Sequence, residues 1–414
     1  MRYDEYLAAL NGPFEKLARL RFLQPDGTTA FVIDNGQHNK LSGAFISRGE
    51  LSFHWGNGKR RSVDVTLQNI DGDFDYNVNH AWFGTEIALD EGLVLPDGTE
   101  FYLPQGIFVI ETPTEELKPS ERTITYHLVD KIANLDGTLS GLLEGTYEVE
   151  EGTNIFEPIA SLLAEDRGNG IPVDSVPPVF TKWYDGKTQT LPDGTVVPWT
   201  DTPSTLTING GGSKWNVIEG LCAMLNAWVG YDETGALRVD PSQDDILDTD
   251  KPVIWNFSME NTSFLGVAYT VKNTDVYNDY IVVGESLSDG RQPSARAQNL
   301  DPASDTNIMT IGRKTYLESA PNYWTDRQCK DLANWRLKKV SVLQKAVSIS
   351  CSQIFHLRGN DLVTITRTDR PSNPVERHLV TGFTRPLTGS KPMTIEAVST
   401  QDIAIATLTE AGNN

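Results

Sequence analysis

Cysteine is scarce in this chain. Only Cys222, Cys329 and Cys351 occur in 414 residues. An odd number at wide spacing fits neither a disulfide framework nor a CxxC metal motif. Each lies in an apolar context, so buried free thiols are expected. Long apolar runs are missing too: none approaches the ~18 residues of a membrane-spanning helix. The opening MRYDEYLAALNGPFEK has no basic stretch followed by an apolar one. It reads as a short amphipathic helix and not as a signal peptide. Positive charge is in deficit, with 35 Lys and Arg against 56 Asp and Glu, a net charge of −21. That balance excludes a basic nucleic-acid-binding footprint and disfavours docking on an anionic membrane.

Catalytic signatures are equally sparse. Asp71-Gly-Asp73-Phe-Asp75 begins like a calcium loop, but Tyr76 stands where glycine is required and Trp82 where a bidentate Glu is required. An acidic turn ending a strand is the expectation. His38, His54, His80, His127, His356 and His378 form no HExxH or Cys/His zinc pattern. GxSxG, P-loop and dinucleotide fingerprints are absent. Gly210-Gly211-Gly212 precedes a helix with Lys214 nearby, which makes an anion site conceivable; a flexible entry to the helix is the plainer reading. No catalytic, cofactor-binding or metal-binding residue is assigned, and no cofactor is expected.

What the chain has in quantity is strand and turn. Thirty-four Gly and 22 Pro punctuate short β-rich runs, and the turn PDGT occurs at Pro25–Thr28, Pro96–Thr99 and Pro192–Thr195. Val63, Val65, Leu67 and Asn69 alternate with Ser62, Asp64, Thr66 and Gln68, giving one buried face. Strands are expected at 13–34 (as a hairpin), 43–54, 60–70, 85–94, 99–104, 106–112 and 121–129. Helices are expected at 154–166, from the cap Ser213 onward, and at 325–340 with the capping pair Thr325 and Gln328. Residues 227–241 read as a hairpin and 241–252 as a polar linker. Strands at 264–271, 278–284, 342–352, 360–366, 376–384 and 392–398 complete the pattern. A polar loop at 286–304 and a loose tail after 406 are also expected. Residues 106–130 and 376–400 echo one another as strand, Pro/Ser/Lys-bearing connection and strand. Chance similarity of two strand pairs and a duplicated β-barrel are both open readings of that echo.

Several segments resemble phage tail-tip hub proteins. In VDVTLQNIDGDFDYN (63–77) a strand ends in an Asn-x-Asp-Gly-x-Phe turn, carried by Asn69, Asp71, Gly72 and Phe74. SKWNVIEGLCAMLNAWVGYDETGALRV (213–239) resembles that family's helix and following hairpin. The helix at 325–340, a strand, and RGNDLVTI (358–365) resemble its C-terminal region; Arg358-Gly359-Asn360-Asp361 stands where many relatives have Pro-Gly-Asp-x-Val. The family includes the central hub of contractile-tail baseplates and the N-terminal hub part of siphophage tail-associated proteins.

The resemblance implies a mainly β fold with α+β insertions: two β-barrel-like hub domains and a smaller mixed domain. The expected divisions are a first barrel-like domain at 12–135, a mixed α/β domain at 136–252, a second barrel-like domain at 253–400 and a loose tail at 401–414. The implied function is structural, in a tail tip or phage-derived particle. A homotrimeric ring closes the tail tube, adapts sixfold to threefold symmetry and forms the DNA exit channel. Implied partners are distal-tail or tail-tube proteins, a tape-measure protein and a tip spike or fibre. Genome DNA would pass through the lumen without specific binding, past some of the acidic residues. The implied location is the virion tail tip, after synthesis in the host cytoplasm, without a membrane anchor. A chain stopping soon after the second barrel would be a bare hub, with cell-wall cleavage or receptor binding supplied by another protein. Two alternatives stand beside this reading: a distal-tail or carbohydrate-binding baseplate protein, and a glycoside hydrolase with paired carboxylates.

Overall fold

Polar–apolar alternation builds the first run of strands. The computed structural model describes residues 2–35, 44–56, 58–74, 85–167, 170–191, 194–241, 251–260, 263–272, 276–287, 290–320, 323–341, 344–399 and 405–408. After helix α1 (Arg2–Ala9) come β1 (Lys16–Leu23), β2 (Thr29–Asp34), β3 (Phe45–His54), β4 (Arg61–Gln68), β5 (Glu86–Val94), β6 (Glu100–Lys118) and β7 (Glu121–Asp130). They pair antiparallel in the order β3-β4-β7-β6-β5-β1-β2. Along β4, Val63, Val65 and Leu67 are buried while Asp64 is exposed, as a period of two demands. Gly27 and Gly98 close two PDGT turns at φ 79° and 83°, a region glycine enters without steric cost. The third PDGT falls partly outside the described residues. Residues 99–112, expected as two strands, form one. Unpaired extra residues at Gln105 and Glu111 let β6 run on as a single 19-residue strand.

The middle of the chain packs its own small core. Short strands β8 (Tyr147–Val149), β9 (Val179–Phe180), β10 (Thr188–Thr190), β11 (Val196–Pro198) and β12 (Leu206–Ile208) accompany α2 (Phe156–Ala164) and α3 (Lys214–Met224). Trp215, Ile218, Leu221, Cys222 and Leu225 line one face of α3 and are buried together. Ser213 caps that helix in a reciprocal box with Asn216. The hairpin β13 (Ala227–Tyr231) and β14 (Leu237–Pro241) follows as expected.

The chain then returns to the first sheet. β15 (Val253–Ser258) and β16 (Phe264–Lys272) precede an excursion into a four-stranded sheet. That sheet holds β17 (Asp279–Val283), β18 (Ser294–Asn299), β19 (Thr315–Ser319) and, from the end of the described chain, β24 (Ile405–Leu408). Helix α4 (Asp326–Val340) covers one face, burying Tyr280, Val282, Cys329, Leu332 and Ala333. β18 lies inside the expected loop and β24 inside the expected loose tail. β18 is mostly polar, with only Ala295 and Ala297 entering the core, and β24 is four residues long; both are held in ladders, β18 with β17 and β24 with β18. β20 (Gln344–Cys351), β21 (Leu362–Thr366), β22 (Val375–Pro386) and β23 (Met393–Ser399) complete the large sheet of thirteen strands.

The two ends of that sheet are built alike. Five strands in the order β3-β4-β7-β6-β5 match β16-β20-β23-β22-β21, every neighbour antiparallel in both. The irregularities match as well. Ser47 bulges out of β3 one residue after Ile46, and Leu265 out of β16 one residue after Phe264. Glu111 bulges out of β6 and Thr381 out of β22 at the same register step. The sixth strands differ: β1 runs antiparallel to β5, whereas β15 runs parallel to β21. The segments 106–130 and 376–400, which echo in sequence, are the β6–β7 and β22–β23 hairpins of this repeat.

Candidate functional site

The two halves meet along β22, and chemistry concentrates there. β22 changes partner midway: Val375–Leu379 pair with β21, and Gly382–Pro386 pair with residues 54–50 of β3. Glycine is needed at the crossing, because a Cβ on Gly382 would stand 2.8 Å from the Phe53 carbonyl oxygen. Phe53 and Phe383 stack across the joint with ring centroids 5.1 Å apart.

Behind the strands lies a buried ionic cluster. Arg385, fully buried, donates from Nε to Glu91 Oε2 at 2.8 Å and from Nη1 to the Ile354 carbonyl at 2.8 Å. Its Nη2 reaches Gln105 Oε1 at 2.5 Å and Glu91 Oε2 at 2.6 Å. Lys16 Nζ lies 3.3 Å from Glu91 Oε1 and donates to the Pro386 carbonyl and to Gln353. Burial pulls the Lys16 ammonium down to about 8, although Glu91 pulls the other way. Tyr6 of α1 bonds His356 Nδ1 at 2.8 Å. Burial, with Arg385 nearby, holds that imidazole down to about 4. Charged groups from β1, β5 and β22, with the Gln105 amide of β6, thus meet in one buried cluster, an arrangement that fixes geometry more than it adds stability.

A cleft of about 320 Å³ opens beside the joint, lined by Phe53, Trp55, Arg61, Glu233, Arg358 and Asp361 among others. The Arg358–Asp361 loop is pressed against the rings of Phe53 and Trp55, and a Cβ on Gly359 would fall 2.1 Å from Phe53. Glu233, at the tip of the β13–β14 hairpin, lies 2.5 Å from Arg358 and 3.8 Å from Arg61. Asp361 accepts the Arg358 N–H at 2.7 Å, yet burial raises its carboxyl to about 6. Both oxygens of Glu233 face arginines, and Asp240, also in the lining, pairs with Arg238 at 3.1 Å. The cleft reads as a latch between the middle of the chain and the two sheet halves.

The remaining residues singled out in the sequence are structural or lie elsewhere. Asn69 Oδ1 accepts the Phe74 N–H at 3.1 Å, and Phe74 packs against Phe22 and Phe31, so the Asn-x-Asp-Gly-x-Phe motif is a turn that drives its aromatic into the core. Asp75, Tyr76, Trp82, His38 and His80 fall outside the described residues. His127 Nδ1 lies 2.7 Å from Asp64 on the sheet surface, and His378 is buried. Lys214 pairs with Glu165 at 2.6 Å. All three cysteines are buried and free, and burial raises the thiols of Cys329 and Cys351 to about 12. The sequence reading missed the Arg385 cluster. Its signal was present as charges inside otherwise apolar strands: Glu91 in EIALDEGLV and Arg385 in VTGFTRPL.

No protein-family model matches the chain, and no curated protein matches it in sequence. Solved structures do. A tail protein from Neisseria meningitidis superposes with a TM-score of 0.55 at 12% identity, covering 93% of this chain and 97% of that one. The 43 kDa tail protein of prophage MuSo2 from Shewanella oneidensis gives 0.54 at 10% identity, covering 93% and 98%. Prophage tail protein gp18 from Listeria monocytogenes gives 0.53 at 9% identity, covering 94% and 95%. The chain has the fold of phage tail proteins. The match runs nearly end to end in both partners, so the phage tail fold here includes the middle core and the four-stranded sheet, not the large sheet alone.

Proposed function

We propose that this protein is the structural hub of a phage tail tip or baseplate. Three copies form a ring that closes the tail tube, adapts sixfold to threefold symmetry and surrounds the DNA exit channel. The observation that supports this most is the phage tail fold together with its internal repeat: three chains with two like halves each present six similar units to a sixfold tube. The repeat also supports reading residues 12–135 and 253–400 as two hub domains around a mixed domain at 136–252. The role is assembly and gating, not covalent chemistry. Tube or distal-tail proteins and the tape-measure protein would meet one side, and a spike or fibre the other.

The net charge of −21 suits a conduit for DNA, whose phosphates carry one charge per ~1.7 Å of axis. Electron microscopy of the purified chain and of tail-tip particles tests the proposal. A threefold ring with an acidic central channel below a sixfold tube is the expected result. A lumen lined mainly by Lys and Arg would sink the conduit role, and a monomer or sixfold ring would sink the hub.

A further inference from the structure

The repeat carries a prediction about how one copy grips the next. Within the chain, the halves join where β22 pairs with β3: Gly382 opposite His54, Phe383 opposite Phe53, Thr384 opposite Ser52, Arg385 opposite Leu51 and Pro386 opposite Glu50. By the matched bulges, β6 is the counterpart of β22 in the first half, and β16 is the counterpart of β3 in the second. Both counterparts have an open edge among the described residues. β6 pairs with β5 only as far as Val109, and beyond that it projects with β7 as a two-stranded arm. Thr114 through Glu121 are exposed, Leu117 by 66%. β16 pairs with β20 and with no second strand.

We infer that the β6 arm of one copy pairs antiparallel with the β16 edge of the next. This inference rests on the ring proposed above and specifies its contact. Transferring the internal register places Pro113 opposite Val271, Thr114 opposite Thr270, Glu115 opposite Tyr269 and Glu116 opposite Ala268 of the neighbouring copy.

The backbone is suited to this pairing. The arm closes on Lys118 and Glu121 around a two-residue loop, so even-numbered residues bond to β7 and odd-numbered ones face outward. The internal joint has the same parity: Trp55 N–H donates to Thr381, and Leu387 N–H donates to Gly49. Pro113 removes one outward donor beside the bulge, leaving its carbonyl and the groups of Glu115 and Leu117. A two-stranded arm with little core beneath it is marginal alone, and a long open edge invites pairing. Since the two surfaces differ, the contact is heterologous, the class of contact from which a closed ring is built when the rotation between copies closes.

Cysteine cross-linking tests the register. Thr114 and Thr270 are both exposed and would form a non-hydrogen-bonded pair, with Cα atoms about 4.5 Å apart, inside disulfide range. The native thiols are buried and do not compete. Under oxidation, the double variant Thr114→Cys/Thr270→Cys should give covalent dimer and trimer on a non-reducing gel, lost on reduction. Thr114→Cys/Ala268→Cys, displaced by two residues, should stay monomeric on the gel. Glu115→Pro, which leaves the β7 ladder intact, should lower ring mass by mass photometry, whereas Glu115→Ala, which loses the same pair with Arg122 but keeps the backbone donor, should not. A wild-type ring whose Thr114/Thr270 variant does not cross-link, or cross-links no better than the displaced pair, overturns this contact and leaves the hub standing. A wild-type chain that forms no ring, even in tail-tip particles, overturns both.

Discussion

Arg385 and Asp361 show two ways in which a single side chain constrains this protein. Removing Arg385 leaves buried Glu91 with Lys16 alone and takes the donor from the Gln105 and Ile354 oxygens. Arg385→Met should therefore cost about 3–5 kcal/mol of unfolding free energy, read as a lower urea midpoint at unchanged slope. Adding Glu91→Met should recover part of that loss, because Lys16, already held near 8, can shed its proton once its carboxylate is gone. Asp361 acts through pH. Its folded value of about 6 exceeds the unfolded value of 3.8, so between these the native state binds more protons than the unfolded state. Its contribution therefore weakens stability as pH rises from about 4 to 6. Asp361→Asn should raise the melting temperature at pH 7 more than at pH 4. His356 has the opposite sign: held near 4 from 6.5, it makes the native state lose stability as pH falls from 6.5 toward 4. The wild-type profile is therefore flattened between 4 and 6, and Asp361→Asn should expose the histidine slope. A variant profile parallel to wild type would contradict the assignment.

At the scale of elements, local chemistry was legible and long-range pairing was not. The caps Ser213 and Thr325, each with a partner three residues on, mark helices that begin one residue later. Thr325→Ala should cost about 1 kcal/mol, measured by denaturant titration, since its hydroxyl oxygen accepts the Gln328 N–H at 3.2 Å. Strand alternation likewise located β4, β20 and β23 to within a few residues. β18 and β24 were not legible, because Ser294–Asn299 and Ile405–Leu408 are short and gain their order from each other and from β17. Continuous β6 was hidden for another reason. Pro104, Gly106 and Pro113 read as breaks, but they sit at or beside bulges, where a strand tolerates them. The joint of β22 with β3 links residues more than 300 positions apart, and no periodicity reports such a pairing. The buried cluster was hidden with it, since its charged groups come from three strands far apart in sequence.

At the scale of the whole molecule, the chain is a repeat whose two copies share one sheet. The faint sequence echo between 106–130 and 376–400 becomes firm only when the bulges at Glu111 and Thr381 fall into register. The cores confirm the union: Leu20, Phe22, Leu67 and Tyr126 from the first half belong to the same buried cluster as Val347, Ile349, Val363 and Ile395 from the second. The halves should therefore unfold together, while the middle core, with its separate cluster around Trp215 and Leu221, is free to open on its own. Hydrogen exchange is expected to show common protection for β4 and β20 and a distinct value for α3. Separate protection for β4 and β20 would deny the shared sheet.

The covalent link between the halves bears on how a ring is populated. Six independent units would have to find six partners, and the yield would fall steeply on dilution. In the ring proposed above, half of the joints would already be made when each chain folds, with Arg385 and Glu91 sealed inside them. Only the contacts between chains remain subject to concentration. A hub built in the proposed way would need only three molecules to meet, and not six.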